Sequence, residues 1–451
     1  MYMKNDQNKS QGADLISPIA EIFFEICKNL AKIGFDLGKL GFNHYFKRQN
    51  PVSKVEHKKL LVTKTTINPA SIGLDTKTKK DVLLSSVDFS KHSLIVGATG
   101  FGKTNLIYNL QENYLKKGQP IIFFDPKGDL EAMTDFKNLC ERYDMNCHIF
   151  SETCKSSVSL NPVLEGSITQ VVNRIMCAFE WSEPFYHDAS MSVLRLALEE
   201  LEQDEIPFSL MAIYNVLKEK HESKNTQGLI VKLENIVKSD FGSILGGQGD
   251  DDYTLSKIRS ERSCLYIGLS TQGYGETAMA LGKIFLGELL YHSYKTLSTS
   301  VDSSINKKNP IAVFFDEFGA LVTPQFIELE NKCRGAGIDL TMAIQTISDL
   351  NVVDPELTIQ IMENCANWFI LKQRHPSSSE TLSHSIGTVL TQKSTDQVED
   401  GEKSGRGTTR DVHELIVHPD IIKYLNVGQC IILRQHPHSI NLVNIRGHQK
   451  H

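Results

Sequence analysis

The sequence predicts an α/β protein: a mainly parallel sheet flanked by helices, with an all-α domain inserted into it. Three observations lead to this fold. Short apolar runs that read as buried strands alternate with helical periodicities along the 451 residues, as in a parallel sheet. One run, His92–Val96, feeds a glycine-rich turn and then a helical stretch, Asn105–Leu115. Between two groups of strands, residues 165–250 carry only helical patterns.

The turn is Gly97-Ala98-Thr99-Gly100-Phe101-Gly102-Lys103-Thr104. It matches the phosphate-loop pattern G-x-x-x-x-G-K-[ST] in the strand–loop–helix context the pattern requires. Its glycines let backbone N–H groups close on phosphate oxygens, and the helix N-terminus adds partial positive charge. Lys103 is expected to reach the β- and γ-phosphates, and the Thr104 hydroxyl to ligate Mg²⁺. Far downstream, the apolar run Ile311–Phe315 ends in Asp316-Glu317. A carboxylate at the C-terminal end of a buried strand faces the crevice where ligands sit. Asp316 is expected to hold the metal and Glu317 to polarise water. ATP and Mg²⁺ are therefore the expected cofactors.

Hydrophobic content of 40% and charged content of 23% describe a globular chain. The nine cysteines are scattered with no C-x-x-C pair, which argues against a zinc site or a disulfide framework. Net charge is −6. Residues 1–91 hold fifteen Lys/Arg against nine Asp/Glu, so the remainder is strongly acidic. No apolar stretch approaches the roughly 18 residues of a membrane span.

Along the chain, 1–58 is a basic segment with an amphipathic helix at about 18–42, opened by Ser17-Pro18. Ile19, Phe23, Ile26, Leu30, Ile33, Leu37 and Leu40 mark its apolar seam. Such a seam fits packing on its own domain, a coiled coil or partner helix, or a membrane surface. Residues 59–164 read as the first part of the nucleotide-binding domain, with short strands at Val62–Ile67, Ser71–Leu74 and Val82–Leu84. Pro120–Phe124 reads as a further strand, ending in Asp125-Pro126-Lys127-Gly128-Asp129. Asp125 and Lys127 fit either a place beside the nucleotide or a surface turn. Residues 165–250 form the inserted all-α domain, with fourteen Asp/Glu and seven Lys/Arg. Residues 251–451 resume the nucleotide-binding domain: strands at Cys264–Leu269, Asp339–Ile344 and Asn367–Leu371, a helix at Glu276–Lys295, and a closing hairpin of Gln429–Leu433 with Ile440–Ile445. Residues 391–411 are polar without apolar periodicity and read as a mobile loop.

Several strings point further: Asp125-Pro126-Lys127-Gly128-Asp129, Asn161-Pro162, Asp316-Glu317-Phe318, and Arg334-Gly335-Ala336-Gly337-Ile338 leading to Ala343-Ile344-Gln345-Thr346. In order and spacing they resemble the type IV coupling proteins of conjugative transfer (TraD/TraG-like), within the FtsK/HerA class of ring ATPases, over about residues 70–450. The resemblance implies a RecA-like P-loop domain and a homo-hexamer. It implies a place at the cytoplasmic face of the inner membrane, where ATP hydrolysis moves DNA with its bound relaxase into a type IV secretion channel. It implies that Gln345 senses the γ-phosphate and that an arginine from a neighbouring subunit completes the site. Arg334 and Arg374 are candidates, with Arg259 and Arg262 as alternatives. Many family members begin with transmembrane helices, whereas this chain offers only segment 18–42 for peripheral membrane contact. The acidity of the insertion favours a protein partner as much as DNA, although Lys218, Lys220, Lys224, Lys232 and Lys238 could form a basic stripe. Two other functions compete: a HerA/FtsK-like translocase in repair or segregation, and a nucleotide-switched docking module that does not pump.

Overall fold

The computed structural model describes residues 70–85, 88, 90–247, 252–299, 309–399 and 402–447, except the side chains of Gln325 and of 396–407. The basic segment 1–58, with its helix at 18–42, and the strand expected at Val62–Ile67 lie outside the described residues.

Thirteen strands are described. They are β1 Ser71–Asp75, β2 Asp81–Leu83, β3 Ser93–Val96, β4 Ile121–Asp125, β5 Cys147–Phe150, β6 Cys264–Gly268 and β7 Ile311–Phe315. β8 Ile338–Ile344, β9 Asn367–Ile370, β10 Thr388–Glu399, β11 Glu402–Leu415, β12 Gln429–Gln435 and β13 His438–Ile445 follow. Eleven form one sheet in the order β2-β1-β13-β12-β9-β3-β8-β7-β4-β6-β5. From β9 to β5 every pairing is parallel. The expected closing hairpin, β12–β13, extends the sheet antiparallel from β9, and β1 and β2 finish that edge.

The central strands read as continuous apolar runs because both faces are covered: β3, β4, β7 and β8 are buried at every position. On one face, α1 (Lys103–Leu115) and α2 (Leu130–Arg142) share a core with Phe123, Tyr266 and Phe314. Phe123 meets Phe136 at 5.5 Å and Tyr266 at 5.7 Å between ring centroids.

Between β5 and β6 come α3 (Ile168–Met176), α4 (Pro184–Gln203), α5 (Leu210–Lys220), α6 (Gln227–Val237) and the short α7 (Leu255–Ser260). Their starts are written locally. Ser167 and Gln170 form a capping box on α3, Pro184 opens α4, and Ser209 Oγ accepts from Ala212 N at 3.1 Å on α5. α8 (Thr271–Thr299) begins earlier than the apolar pattern suggests and breaks at Gly275 (φ 52).

Helices α9 (Pro324–Cys333), α11 (Pro355–Asn364) and α12 (Pro376–Ile386) were not expected from periodicity, and α10 (Ser348–Asn351) is a single turn. Each of the three longer helices carries proline in its first turn, the signal that could have found them. No helix among the described residues is long and apolar enough to cross a membrane.

One expectation is corrected. The described residues of 391–411 are not a loop but most of a two-stranded antiparallel ribbon, β10–β11, paired from Thr388↔Leu415 to Glu399↔Glu402. Its described side chains are exposed or half-buried up to Ile416. The described side chains form no buried face, and the sequence shows no apolar alternation, the signal by which a strand is recognised. Its β-branched Thr388, Val389, Thr391, Thr408, Thr409 and Val412 suit a ribbon.

The aromatic contacts around Phe123 make it a structural keystone. Phe123→Ala is expected to lower unfolding stability by about 3–5 kcal/mol. Leu390→Ser, on the exposed ribbon, should change it by no more than about 0.5 kcal/mol. Urea denaturation of both variants checks this.

Candidate nucleotide site

Because β3, β8, β7 and β4 are parallel, their C-terminal ends share one edge. Val96 pairs with Ile344, Phe315 with Met342, and Phe124 with Phe315. The loops after these strands are therefore brought together whatever their separation in sequence. This edge gathers Gly97–Thr104, Asp125–Asp129, Asp316-Glu317 and Gln345.

The loop after β3 is tied down at its start. Gly97 N–H donates to Ile344 O (3.1 Å) and Ala98 N–H to Lys372 O (3.2 Å). Gly100 (φ 82) and Gly102 (φ 99) then turn the chain through the left-handed region, which favours glycine. Among the described residues, the N–H groups of Thr99, Gly100, Phe101 and Gly102 donate to no group of the chain. These donors flank the start of α1, where the helix dipole adds positive charge. Lys103 opens the helix and Thr104 follows it, exposed.

Lys103 is 7% exposed, and its ammonium lies 3.3 Å from Asp316 Oδ1 without a hydrogen-bond acceptor. A buried ammonium without an acceptor fits an anionic ligand that would supply one. Asp316 Oδ1 also accepts from Glu317 N–H at 3.0 Å. Glu317 is held in the left-handed region (φ 48, ψ 45), a sparsely populated conformation for a residue with a side chain. Its Oε1 receives Lys127 Nζ at 2.7 Å and Gln345 Nε2 at 2.9 Å. Burial alone would raise the Glu317 pKa, but the hydrogen bond and charge of Lys127, with Gln345, outweigh it and hold the carboxyl below its ordinary value.

The turn after β4 resolves the two readings of Asp125 and Lys127. Asp125 is buried and organises the turn: its carboxylate accepts from Lys127 N, Asp129 N and the Tyr266 hydroxyl, at 3.0, 3.2 and 2.6 Å. Burial raises its pKa, and neighbouring Asp316 adds to the rise while the Tyr266 bond opposes it. Lys127 projects onto Glu317. Gly128 (φ 63) lets the turn pass Ser270, whose Oγ would lie 2.3 Å from an added Cβ.

Asp349 and Lys372 were missed in sequence, whereas Arg374 was a candidate there. Asp349 accepts from Gln345 N, Thr346 N and Thr346 Oγ1 (2.9, 2.9 and 3.0 Å) and so fixes the turn that presents Gln345. The spacing Thr346-x-x-Asp349 is a weak local signal of such a turn. Lys372 and Arg374, past the end of β9, place their charges 5.1 and 5.4 Å from the Phe101 ring centroid.

Arg334 is not brought to this edge. It ends α9 ahead of β8, near His92 and Asp339 at the opposite edge of the sheet. Arg259 is buried and donates to Asn309 O and Ala336 O, while Arg262 donates to Asn309 Oδ1 and Gly118 O. Both serve the fold.

The sheet, the phosphate loop and the Asp-Glu strand end define a RecA-like P-loop protein. The family model for the central domain of helicase HerA matches residues 71–260, and the model named for the TraM recognition site of TraD and TraG matches 310–426. Type 4 coupling protein DotL of Legionella pneumophila is 40% identical over 120 residues, 23% of this chain and 15% of that protein. The match thus spans a small part of that relative. The unbound conjugative coupling protein TrwBdeltaN70 superposes with a TM-score of 0.65 at 15% identity, covering 84% of this chain and 89% of that one. TrwB in complex with ADP and Mg²⁺ gives 0.62 at 16%, over 82% and 88%. VirB4 of Thermoanaerobacter pseudethanolicus gives 0.57 at 14%, over 85% and 98%. At these identities the solved structures speak for the fold. The two family models and the DotL match make separate parts of the chain similar to type IV coupling proteins and HerA-like ATPases.

The Lys127 contact carries its own test. Lys127→Met removes the group that holds Glu317 charged, so the Glu317 carboxyl should titrate at higher pH than in the wild type. Carbon-13 NMR of labelled glutamate side chains, with Glu317→Gln to identify the signal, measures the direction.

Proposed function

We propose that the chain is an ATP-hydrolysing coupling protein that recruits DNA with its bound relaxase and drives it into a type IV secretion channel. The observation that carries the reading is the convergence of Lys103, Asp316, Glu317 and Gln345 on one sheet edge beside unpaired loop amides. TrwB, of the same fold, has been solved with ADP and Mg²⁺. The DotL match and the TraM-site model favour a role in transfer or secretion over repair.

When bound, MgATP would supply the transferable phosphoryl group and the metal's positive charge. In this reading the amides of 99–102 and the Lys103 ammonium cradle the phosphates. Thr104 and Asp316, the carboxylate that faces Lys103, would hold Mg²⁺. Glu317 orients and polarises the attacking water from a carboxylate that Lys127 keeps ionised. Gln345, bonded to Glu317, reads the γ-phosphate and passes its position to the Asp349 turn. Arg334 would act only on the site of a neighbouring copy, as in a homo-hexameric ring. Work at the cytoplasmic face of the inner membrane, with segment 18–42 as a peripheral contact, completes the proposal.

ATP turnover, measured with and without single- and double-stranded DNA, tests it. DNA should stimulate the wild type. Glu317→Gln should lower kcat by about 10²–10⁴-fold while nucleotide still binds, and Lys103→Ala should weaken nucleotide binding itself. Slow turnover indifferent to DNA would overturn the motor and leave a nucleotide-switched docking module.

A further inference from the structure

The helical segment between β5 and β6 exposes an aromatic turn that the nucleotide chemistry does not use. It spans Phe179-Glu180-Trp181-Ser182-Glu183-Pro184-Phe185-Tyr186-His187-Asp188, from beyond α3 into the first turns of α4. Phe185 is 59% exposed and Tyr186 41%, with their rings 5.6 Å apart. Trp181 is half-buried between Phe179 at 6.5 Å and His187 at 5.8 Å. Its indole N–H donates to Met176 O at 3.0 Å, which fixes the ring in place. Exposed, preorganised aromatic side chains in one short turn are the anchors that protein interfaces use.

The charge around them selects the partner. Glu180, Glu183 and Asp188 are exposed, and the turn contains no Lys or Arg. The cation that α6 contributes, Lys232, lies over the rings, 5.4 Å from Phe179 and 5.9 Å from Trp181. A phosphate backbone would meet carboxylates here, whereas nucleic-acid binding needs an excess of Lys/Arg. Lys232 also demonstrates on this surface the contact that a partner's cation would make.

We propose that the turn Phe179–Asp188 is a docking surface for a basic protein segment with apolar anchors, seated on Trp181, Phe185 and Tyr186 and bordered by Glu180, Glu183 and Asp188. This deepens the recruiting half of the function proposed above, but it does not depend on the nucleotide site.

The chain has two tryptophans, and Trp368 is only 4% exposed, so Trp181 is a built-in reporter. Tryptophan fluorescence of the full chain is titrated with an amphipathic Leu/Lys peptide, its Leu/Glu counterpart and a double-stranded oligonucleotide. The Leu/Lys peptide should bind and shift the Trp181 emission. The doubly substituted Phe185→Ser/Tyr186→Ser should bind it about tenfold or more weakly, as should Glu180→Lys/Glu183→Lys. Unchanged basal ATP turnover and far-ultraviolet circular dichroism would show that these variants are folded and keep the nucleotide reading separate. The proposal is overturned if the Leu/Lys peptide leaves the Trp181 emission unchanged, if the Leu/Glu peptide or the oligonucleotide shifts it as the Leu/Lys peptide does, or if either variant binds the Leu/Lys peptide with wild-type affinity.

Discussion

The site depends on a buried cation held opposite a carboxylate. Taking an ammonium out of water is costly unless charge and hydrogen bonds replace the lost solvent. Lys103 has the charge of Asp316 at 3.3 Å but no hydrogen-bond acceptor. Its compensation is thus incomplete in the chain alone, which ties the loop after β3 to the end of β7 and leaves the ammonium suited to an anion. Neither residue could hold this arrangement on a mobile loop. Lys103 opens α1 beyond the loop that follows β3, and Asp316 directly follows β7; both strands are fully buried, and their packing fixes the pair before any ligand arrives.

A second layer of contacts makes the pair responsive. Glu317 is strained in backbone and held by Lys127 and Gln345. Gln345 is in turn presented by the Asp349 turn. Gly319, two residues beyond Glu317, lies so close that an added Cβ would stand 3.0 Å from Asp349 Cβ. The carboxylate and the turn beyond β8 are thus in mechanical contact by two routes. A shift at one is transmitted to the other because packed interiors do not deform continuously.

Much of the core was legible in the sequence because parallel buried strands write themselves as unbroken apolar runs. Ile311–Phe315 coincides with β7, and Cys264–Leu269 and Asn367–Leu371 end within a residue of β6 and β9. The helical character of residues 165–250 was legible, because each helix buries one face and so keeps its 3.6-residue period. The ribbon β10–β11 was not legible, since its described side chains bury no face. Helices α9 and α11 escaped as well. Both are only ten residues long, and their starts are announced by Pro324 and Pro355 rather than by a long periodic run.

The sequence by itself determined the chemistry available: a phosphate loop, an Asp-Glu strand end and a glutamine after a buried strand, each a local pattern readable from neighbouring residues. Only the tertiary structure decided which groups meet. It turned Lys127 onto Glu317 and made Asp125 an internal support. It brought in Asp349, and it left Arg334 at the far edge of the sheet. The reason is that strand order and register, which place residues hundreds of positions apart within one hydrogen bond, are set by the packing of the whole sheet and not by any local pattern.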